Sequence, residues 1–526
     1  MRKLIGVGVA LVSAAVLCPS AQAFTVRPMV LPQAAHGRAA ATEPARWLVG
    51  ARPGSRAADA IAQRFGARKL RFAGTLSVPR ARANALVAAL RRAKVLTYAE
   101  PDSTLTRRSV LDVAPGGWAR GAIMPGTLPP PAPGLSVGIV DDVVDTTHPD
   151  VGSQTRVLNG PRPVTGPHGT EVASAVSGLF NGSGVTGVFP GVPLLSYGLG
   201  TDITCADAVT GIQSVLSAGA KVINLSFGSA TECFTLYRIV EAAYGSGVLV
   251  VAAGGNEFLQ GNPPSFPASW PHVLSVAALD QGLAPAFFST ANAAIDVAAP
   301  GDAVPLAVPL AFDTDGTPDG VKAGSGTSFA APMVSGAAAW VWSARPQLSN
   351  GQLADVLRES AQDVAAQGYD PQTGFGLVNV PRALAAQTPQ SDPLEPNDEI
   401  TFIDGSSFSR PDPYIWRGFP RPPIRASVDR VEDPVDVYRV QVPAGRRAQV
   451  QVRTTLGDAD LFAFRGIART LSATPIARSE RSGRATDAVT LANPGRAARR
   501  FYIAIVPASR DTLNSAYVLQ VRRLAR

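Results

Sequence analysis

The chain has 526 residues, enough for about three domains of ~100–200 residues each. It is 46% apolar and only 17% charged, which excludes a disordered polyelectrolyte, and its 50 Gly and 45 Pro follow no collagen-like period. The net charge of +8 hides a division along the chain: residues 24–110 carry 16 basic and 4 acidic side chains, residues 135–385 carry 8 and 20, and residues 388–526 carry 21 and 15. A nucleic-acid partner would call for a basic stripe interleaved with aromatic platforms. Here a basic segment precedes an acidic one instead. Two readings of that asymmetry, mutual docking and two separately solvated faces, stay open on charge alone.

In chain order, Arg2 and Lys3 precede an apolar stretch, Leu4–Cys18, and Ala21-Gln22-Ala23 follows it. A basic start, an apolar middle and a small-residue cleavage site form an export signal over residues 1–23. The stretch is shorter than the ~20 residues a membrane-spanning helix needs, so no transmembrane segment is expected. The mature chain then begins near Phe24 and is secreted, outside the cell or into the periplasm or cell envelope. Only Cys205 and Cys233 remain after that cleavage, and an even pair in an exported protein points to a disulfide. Residues 46–101 read as a small βαββαβ unit with helical patterns after Ser55 and Pro79. A Pro/Gly-rich linker follows, over residues 113–134.

From Leu135 onward, short apolar runs (136–140, 194–197, 222–227, 248–253 and 273–277) alternate with helical stretches, the pattern of a parallel sheet covered on both faces. The stretch Asp202–Ala218 reads as a crossover helix starting at the sheet edge where the run 222–227 ends, so the two cysteines flank one edge. A second Pro-rich break falls at 388–396, and alternating runs beyond it predict an antiparallel β domain.

Three chemistry-bearing residues fall at element ends. Asp141 closes the first apolar strand, at the sheet edge where open α/β folds build their sites. His168 opens a helix after Pro167. Ser328 opens an apolar helix, Met333–Trp342, that must be buried on all sides, which places the hydroxyl at a positive dipole end. Pro332 is expected within the first turn of that helix, where a missing N–H costs nothing. The order Asp, His, Ser is that of subtilisin. The blocks Ile139-Val140-Asp141, His168-Gly169-Thr170, Asn224-Leu225-Ser226-Phe227-Gly228, Ala252-Ala253-Gly254-Gly255-Asn256 and Gly326-Thr327-Ser328 resemble, in order, those of the subtilisin-like serine peptidases.

The resemblance implies an α/β fold, three-layer αβα with a mostly parallel sheet, over residues 135–387. It also implies a preceding βαββαβ propeptide domain over 24–112 that inhibits and chaperones the enzyme. Residues 388–526 resemble pre-peptidase C-terminal domains, an antiparallel β-sandwich, through Glu395-Pro396-Asn397-Asp398 and Asp433-Pro434-Val435-Asp436. The activity implied is that of a serine endopeptidase acting on polypeptides, with Asp141, His168 and Ser328 catalytic and Asn256 in the oxyanion hole. Ser226-Phe227-Gly228 and Ala253-Gly254-Gly255 match the two backbone walls around an extended substrate, and Ser265 matches the pocket floor. No acid falls at these positions, so cleavage after apolar or aromatic residues is expected. Phe266-Pro267 matches a cis peptide of the family. The family's structural Ca²⁺ would take Asp150 and Asn181 side chains and the carbonyls of Leu179, Ser183 and Val185. Two departures stand out: Asp142-Val143 after Asp141, where a second carboxylate opposes ionisation if it points the same way, and Glu171 in place of a second His. The alternative is a catalytically silent secreted scaffold, but no catalytic position has been lost.

Overall fold

The computed structural model describes residues 45–525 apart from 73, 108–116, 127, 201, 407–412, 431 and 509–513. The export signal lies outside the described residues.

The N-terminal unit has the βαββαβ order the sequence predicts. Its sheet places Arg68–Lys69, Thr75–Pro79, Arg46–Ala51 and Leu96–Pro101 side by side, with helices Arg56–Arg64 and Arg80–Arg92. Val49, Ala58, Leu76, Leu86 and Leu90 give it a core of its own.

The central sheet has seven parallel strands in the order Val297–Pro300, Val273–Leu279, Leu249–Ala253, Val222–Leu225, Val137–Asp141, Leu194–Gly198 and Thr155–Val157. Successive side chains point to opposite faces, so each all-apolar strand feeds two cores. Val137, Ile139, Leu249 and Val251 pack under the helices His168–Ser177 and Thr327–Ala344. Val140, Ile223, Val250 and Ala252 pack under Cys205–Ser217 and Phe234–Gly245. This is the three-layer αβα arrangement. One expectation needs correction: the Pro/Gly-rich linker is not all connector. Trp118–Ile123 forms a helix whose Ala119 and Ile123 are buried in the first of these cores.

The C-terminal region forms two sheets, of five and four strands, closed over Trp416, Val440, Val450, Leu461, Ile503 and Tyr517. Pairing is antiparallel except between Tyr414–Trp416 and Asp436–Val442, which run parallel. The helix Phe234–Gly245 touches all three parts of the molecule. Tyr98 of the N-terminal unit meets Phe234 edge-on at 5.0 Å between ring centroids, and Tyr237 lies 6.0 Å from Phe402 of the C-terminal region.

Candidate active site

The site forms where three element ends converge on one sheet edge. Asp141 ends its strand fully buried, and its Oδ1 accepts from Asp142 N at 2.6 Å and from His168 Nδ1 at 2.7 Å. A carboxylate can only accept, so the proton on that side of the ring sits on Nδ1. Gly169 permits the close approach of the His168 helix: a Cβ there would lie 2.2 Å from Asp142 O. The Asp142 side chain lies against Gly166, on the loop leading into His168. The imidazole packs at 5.6 Å against Phe329, the residue after Ser328.

Ser328 is the second residue of the helix Thr327–Ala344 and is fully buried. Pro332 is therefore the sixth residue, beyond the first turn, and the sequence expectation is corrected. Its absent N–H would have bonded to Ser328 O. Ser226 Oγ supplies the missing donor, reaching Ser328 O at 2.8 Å, while Ser328 Oγ donates to Ser226 O at 3.0 Å. Ser226 is held in turn by Asn224 Nδ2 at 2.8 Å. Asn256 is half-buried beside them, its Oδ1 accepting from Thr327 N at 3.0 Å and Thr327 Oγ1 at 2.9 Å. That fixes the amide plane with Nδ2 on the opposite side. Gly255 N donates to the same Thr327 Oγ1 at 3.1 Å.

The N-terminal unit runs into this edge as the strand Thr104–Arg107. One side pairs antiparallel with Phe227–Gly228 and the other with Ile203–Thr204. The second wall of this ladder is thus Ile203–Thr204, which the sequence reading passed over. Ala253-Gly254-Gly255 instead ends a central strand next to Asn256, with Gly254 against Ile295. Ser265 is buried against Gly255, and Phe266-Pro267 is cis.

Two further residues of the N-terminal unit, in the stretch Tyr98-Ala99-Glu100-Pro101-Asp102 that resembles the closing strand and tail of subtilase propeptides, have a capping role the sequence reading did not assign. Glu100 accepts from Phe234 N at 2.6 Å and Thr235 N at 2.7 Å, and Asp102 accepts from Ala206 N at 2.9 Å. Each carboxylate caps a helix N-terminus of the central domain, where the dipole favours negative charge. Burial lifts both pKa values above the ordinary carboxylate range. Their signal was present in the sequence, as two of only four acids among residues 24–110. The same two helix starts are joined by a Cys205–Cys233 disulfide, with Cα atoms 6.5 Å apart.

The loop after His168–Ser177 folds around Asp150. Its Oδ1 accepts from Asn181 Nδ2 at 2.9 Å, its Oδ2 from Val185 N at 2.7 Å, and its carbonyl from Leu179 N at 3.1 Å. Gly184, at positive φ, brings the backbone so close that a Cβ would lie 2.1 Å from Asp150 Oδ2. Ser183 N bonds to Asn181 Oδ1 at 3.1 Å, which keeps the loop compact. Asp150 is fully buried and forms no ion pair among the described residues; its two carboxylate oxygens accept these hydrogen bonds. A carboxylate, a carboxamide and backbone carbonyls form a hard-oxygen set of the kind Ca²⁺ takes. The donor chemistry fits.

A parallel sheet carrying Asp, His and Ser at one edge, with an amide beside the Ser, is the architecture of a serine peptidase. The family model described as "Subtilase family" matches residues 132–376. Subtilisin of Bacillus pumilus is 34% identical over 260 residues, covering 47% of this chain and 90% of that one. Subtilisin DY of Bacillus licheniformis is 35% identical over 265 residues with the same coverages, 47% and 90%. The crystal structure of fervidolysin from Fervidobacterium pennivorans, titled a keratinolytic enzyme related to subtilisin, shares the fold at TM-score 0.60 and 20% identity over 86% of each chain. The chain belongs to the subtilase family and is a serine endopeptidase.

Proposed function

We propose that this is a secreted endopeptidase, made as a self-inhibited precursor, that cleaves after apolar or aromatic residues. The His168–Asp141 hydrogen bond, beside a Ser at a buried helix start, carries the reading. In the reaction Ser328 Oγ leaves Ser226 O, gives its proton to His168 and attacks the scissile carbonyl. Asp141 holds the ring tautomer and stabilises the imidazolium. The tetrahedral oxyanion receives Asn256 Nδ2–H and Ser328 N–H. His168 then returns the proton to the leaving amine, and water hydrolyses the acyl-enzyme by the same route. Phe227–Gly228 and Ile203–Thr204, which pair with residues 104–107, take the substrate backbone in the same way, with Ser226 at the end of the first wall. Ala253-Gly254-Gly255 and Ser265 leave room for an apolar side chain.

Residues 24–112 then act as propeptide, their last strand occupying the substrate ladder. Ca²⁺ held by Asp150, Asn181 and the carbonyls of Leu179, Ser183 and Val185 would supply structural stability and no chemistry. The test is N-terminal sequencing of secreted protein. The parent chain should begin beyond the strand Thr104–Arg107, and Ser328→Ala should begin near Phe24. Identical processing of both would overturn the reading.

A further inference from the structure

Far from the catalytic edge, the central and C-terminal regions meet across a group of buried charges that peptide hydrolysis does not use. His272 precedes the strand Val273–Leu279, Glu241 lies on the helix Phe234–Gly245, and Asp398 and Glu395 come from the first residues of the C-terminal region. His272 Nδ1 lies 2.9 Å from Glu241 Oε2 and 3.5 Å from Asp398 Oδ2. Its Nε2 lies 3.3 Å from Glu395 Oε2. The ring is fixed by stacking on Tyr244 at 4.0 Å and 18°, and its backbone N–H donates to Glu432 O. Glu241, His272 and Asp398 are all buried, and their ligand atoms lie within 4.8 Å of one another.

Counting donors shows what a proton alone leaves undone. An imidazolium has two N–H groups. One goes to Glu241 and the other faces Glu395. Asp398 is 4% exposed, yet neither of its carboxylate oxygens has a hydrogen-bond partner, and neither does Glu241 Oε1. A buried carboxylate without a partner is costly, so such groups pair, neutralise or bind metal.

We propose that Glu241, His272 and Asp398 bind a divalent metal of the zinc class, which staples the central domain to the C-terminal domain. Zn²⁺ takes imidazole nitrogen and carboxylate oxygen at ~2.0–2.2 Å, so tetrahedral ligand atoms stand about 3.4 Å apart. The observed separations of 2.9 and 3.5 Å bracket that value. With Nδ1 on the metal, Nε2–H is left to donate to Glu395, the carboxylate support that metal-bound imidazoles commonly have. The nitrogen ligand argues against Ca²⁺, which takes oxygen. The neighbouring group Asp392, Glu395, Asp433 and Asp436 offers oxygen alone and serves as an internal contrast.

The experiment uses the full chain carrying His168→Gln, which prevents self-cleavage and removes the active-site imidazole. After zinc loading and dialysis, elemental analysis should find one equivalent of zinc. X-ray absorption at the zinc edge should show one imidazole, and Tm should rise by several degrees over the chelator-treated protein. Adding His272→Gln or Asp398→Asn should abolish the imidazole signal and the Tm shift. Should either variant fail to fold, the other decides; should both fail, the zinc content and imidazole signal of the parent decide. The proposal is overturned if no zinc is retained, if the bound zinc sees only oxygen, or if His272→Gln binds it equally well.

Discussion

The two regions flanking the peptidase domain both lean on the helix Phe234–Gly245, but in different ways. The N-terminal unit closes its own small core and reaches the enzyme through one strand, two carboxylates on helix ends, and Leu48, Leu70, Phe72 and Leu105 in the enzyme's apolar cluster. Beside these, the buried Arg238 lies over Phe72 at 5.2 Å and over Tyr98 at 5.6 Å. The C-terminal region also has a core and sends Phe402, Ile403, Val435, Val437 and Tyr502 into the same apolar cluster, but among the described residues it adds no strand to the enzyme's sheets. Shared apolar burial ties each region into the stability of its neighbour, so the two differ chiefly in the strand that only the first lays across the catalytic edge. On the proposed reading, that strand marks the first region as the one cleavage releases and the second as the one that stays.

The largest effect expected concerns the chemistry that, on the proposed reading, releases the N-terminal unit. Asn256→Ala should lower kcat by roughly 10²–10³, the loss seen in subtilisin when its oxyanion-hole amide is removed. Separation of the N-terminal unit should slow in proportion, while the C-terminal domain stays docked. Steady-state kinetics and a time course of processing check this, and unchanged processing would break the link. Next is Phe402→Ala, which empties a buried aromatic site and should cost about 3 kcal/mol of unfolding free energy. Denaturant titration of the mature enzyme reads that loss. Inhibition by added residues 24–112 should not change.

Replacing both Cys205 and Cys233 by Ser opens a bridge spanning 28 residues and should cost about 3.6 kcal/mol. Because the bridge ties the two helix starts that Glu100 and Asp102 cap, the double variant should also bind the N-terminal unit more weakly. Docking of the C-terminal domain should be untouched. The smallest effect is Glu100→Gln, expected to weaken inhibition by residues 24–112 about tenfold, the worth of one charged hydrogen bond. Burial raises the Glu100 and Asp102 pKa values in the docked state, so docking takes up protons. Their contribution is fully present below the free carboxylate pKa and is lost as pH rises through the lifted values. Inhibition should therefore tighten as pH falls toward the free carboxylate pKa, with a shallower slope for Glu100→Gln. A steeper slope would contradict the assignment.

Much of the site was legible because its chemistry fixes residue type within short blocks. Asp141, His168, Asn256 and Ser328 each stand in a local pattern of small residues and apolar strand or helix. What stayed hidden depends on partners distant in sequence. Ile203–Thr204 is an unremarkable dipeptide until the strand Thr104–Arg107 lies beside it. Thr155–Val157 is a three-residue edge strand with partly exposed side chains, too short to show periodicity. The helix Trp118–Ile123 was masked by the prolines and glycines around it, which mark its ends rather than its absence. The position of Pro332 was misjudged because the helix begins at Thr327, earlier than its apolar run. The His272 cluster draws on residues 241 to 398 and two domains, so no local signal announces it.

The central claim is that Ser328 is a nucleophile activated by His168 and Asp141. Its most direct test is to label the mature enzyme with a serine-directed phosphonate and locate the adduct by peptide mass spectrometry. One adduct on Ser328 is expected, absent in Ser328→Ala and formed orders of magnitude more slowly in His168→Ala. An unlabelled Ser328 in folded, processed enzyme, or an adduct on Ser325 or Ser226 instead, would contradict the account.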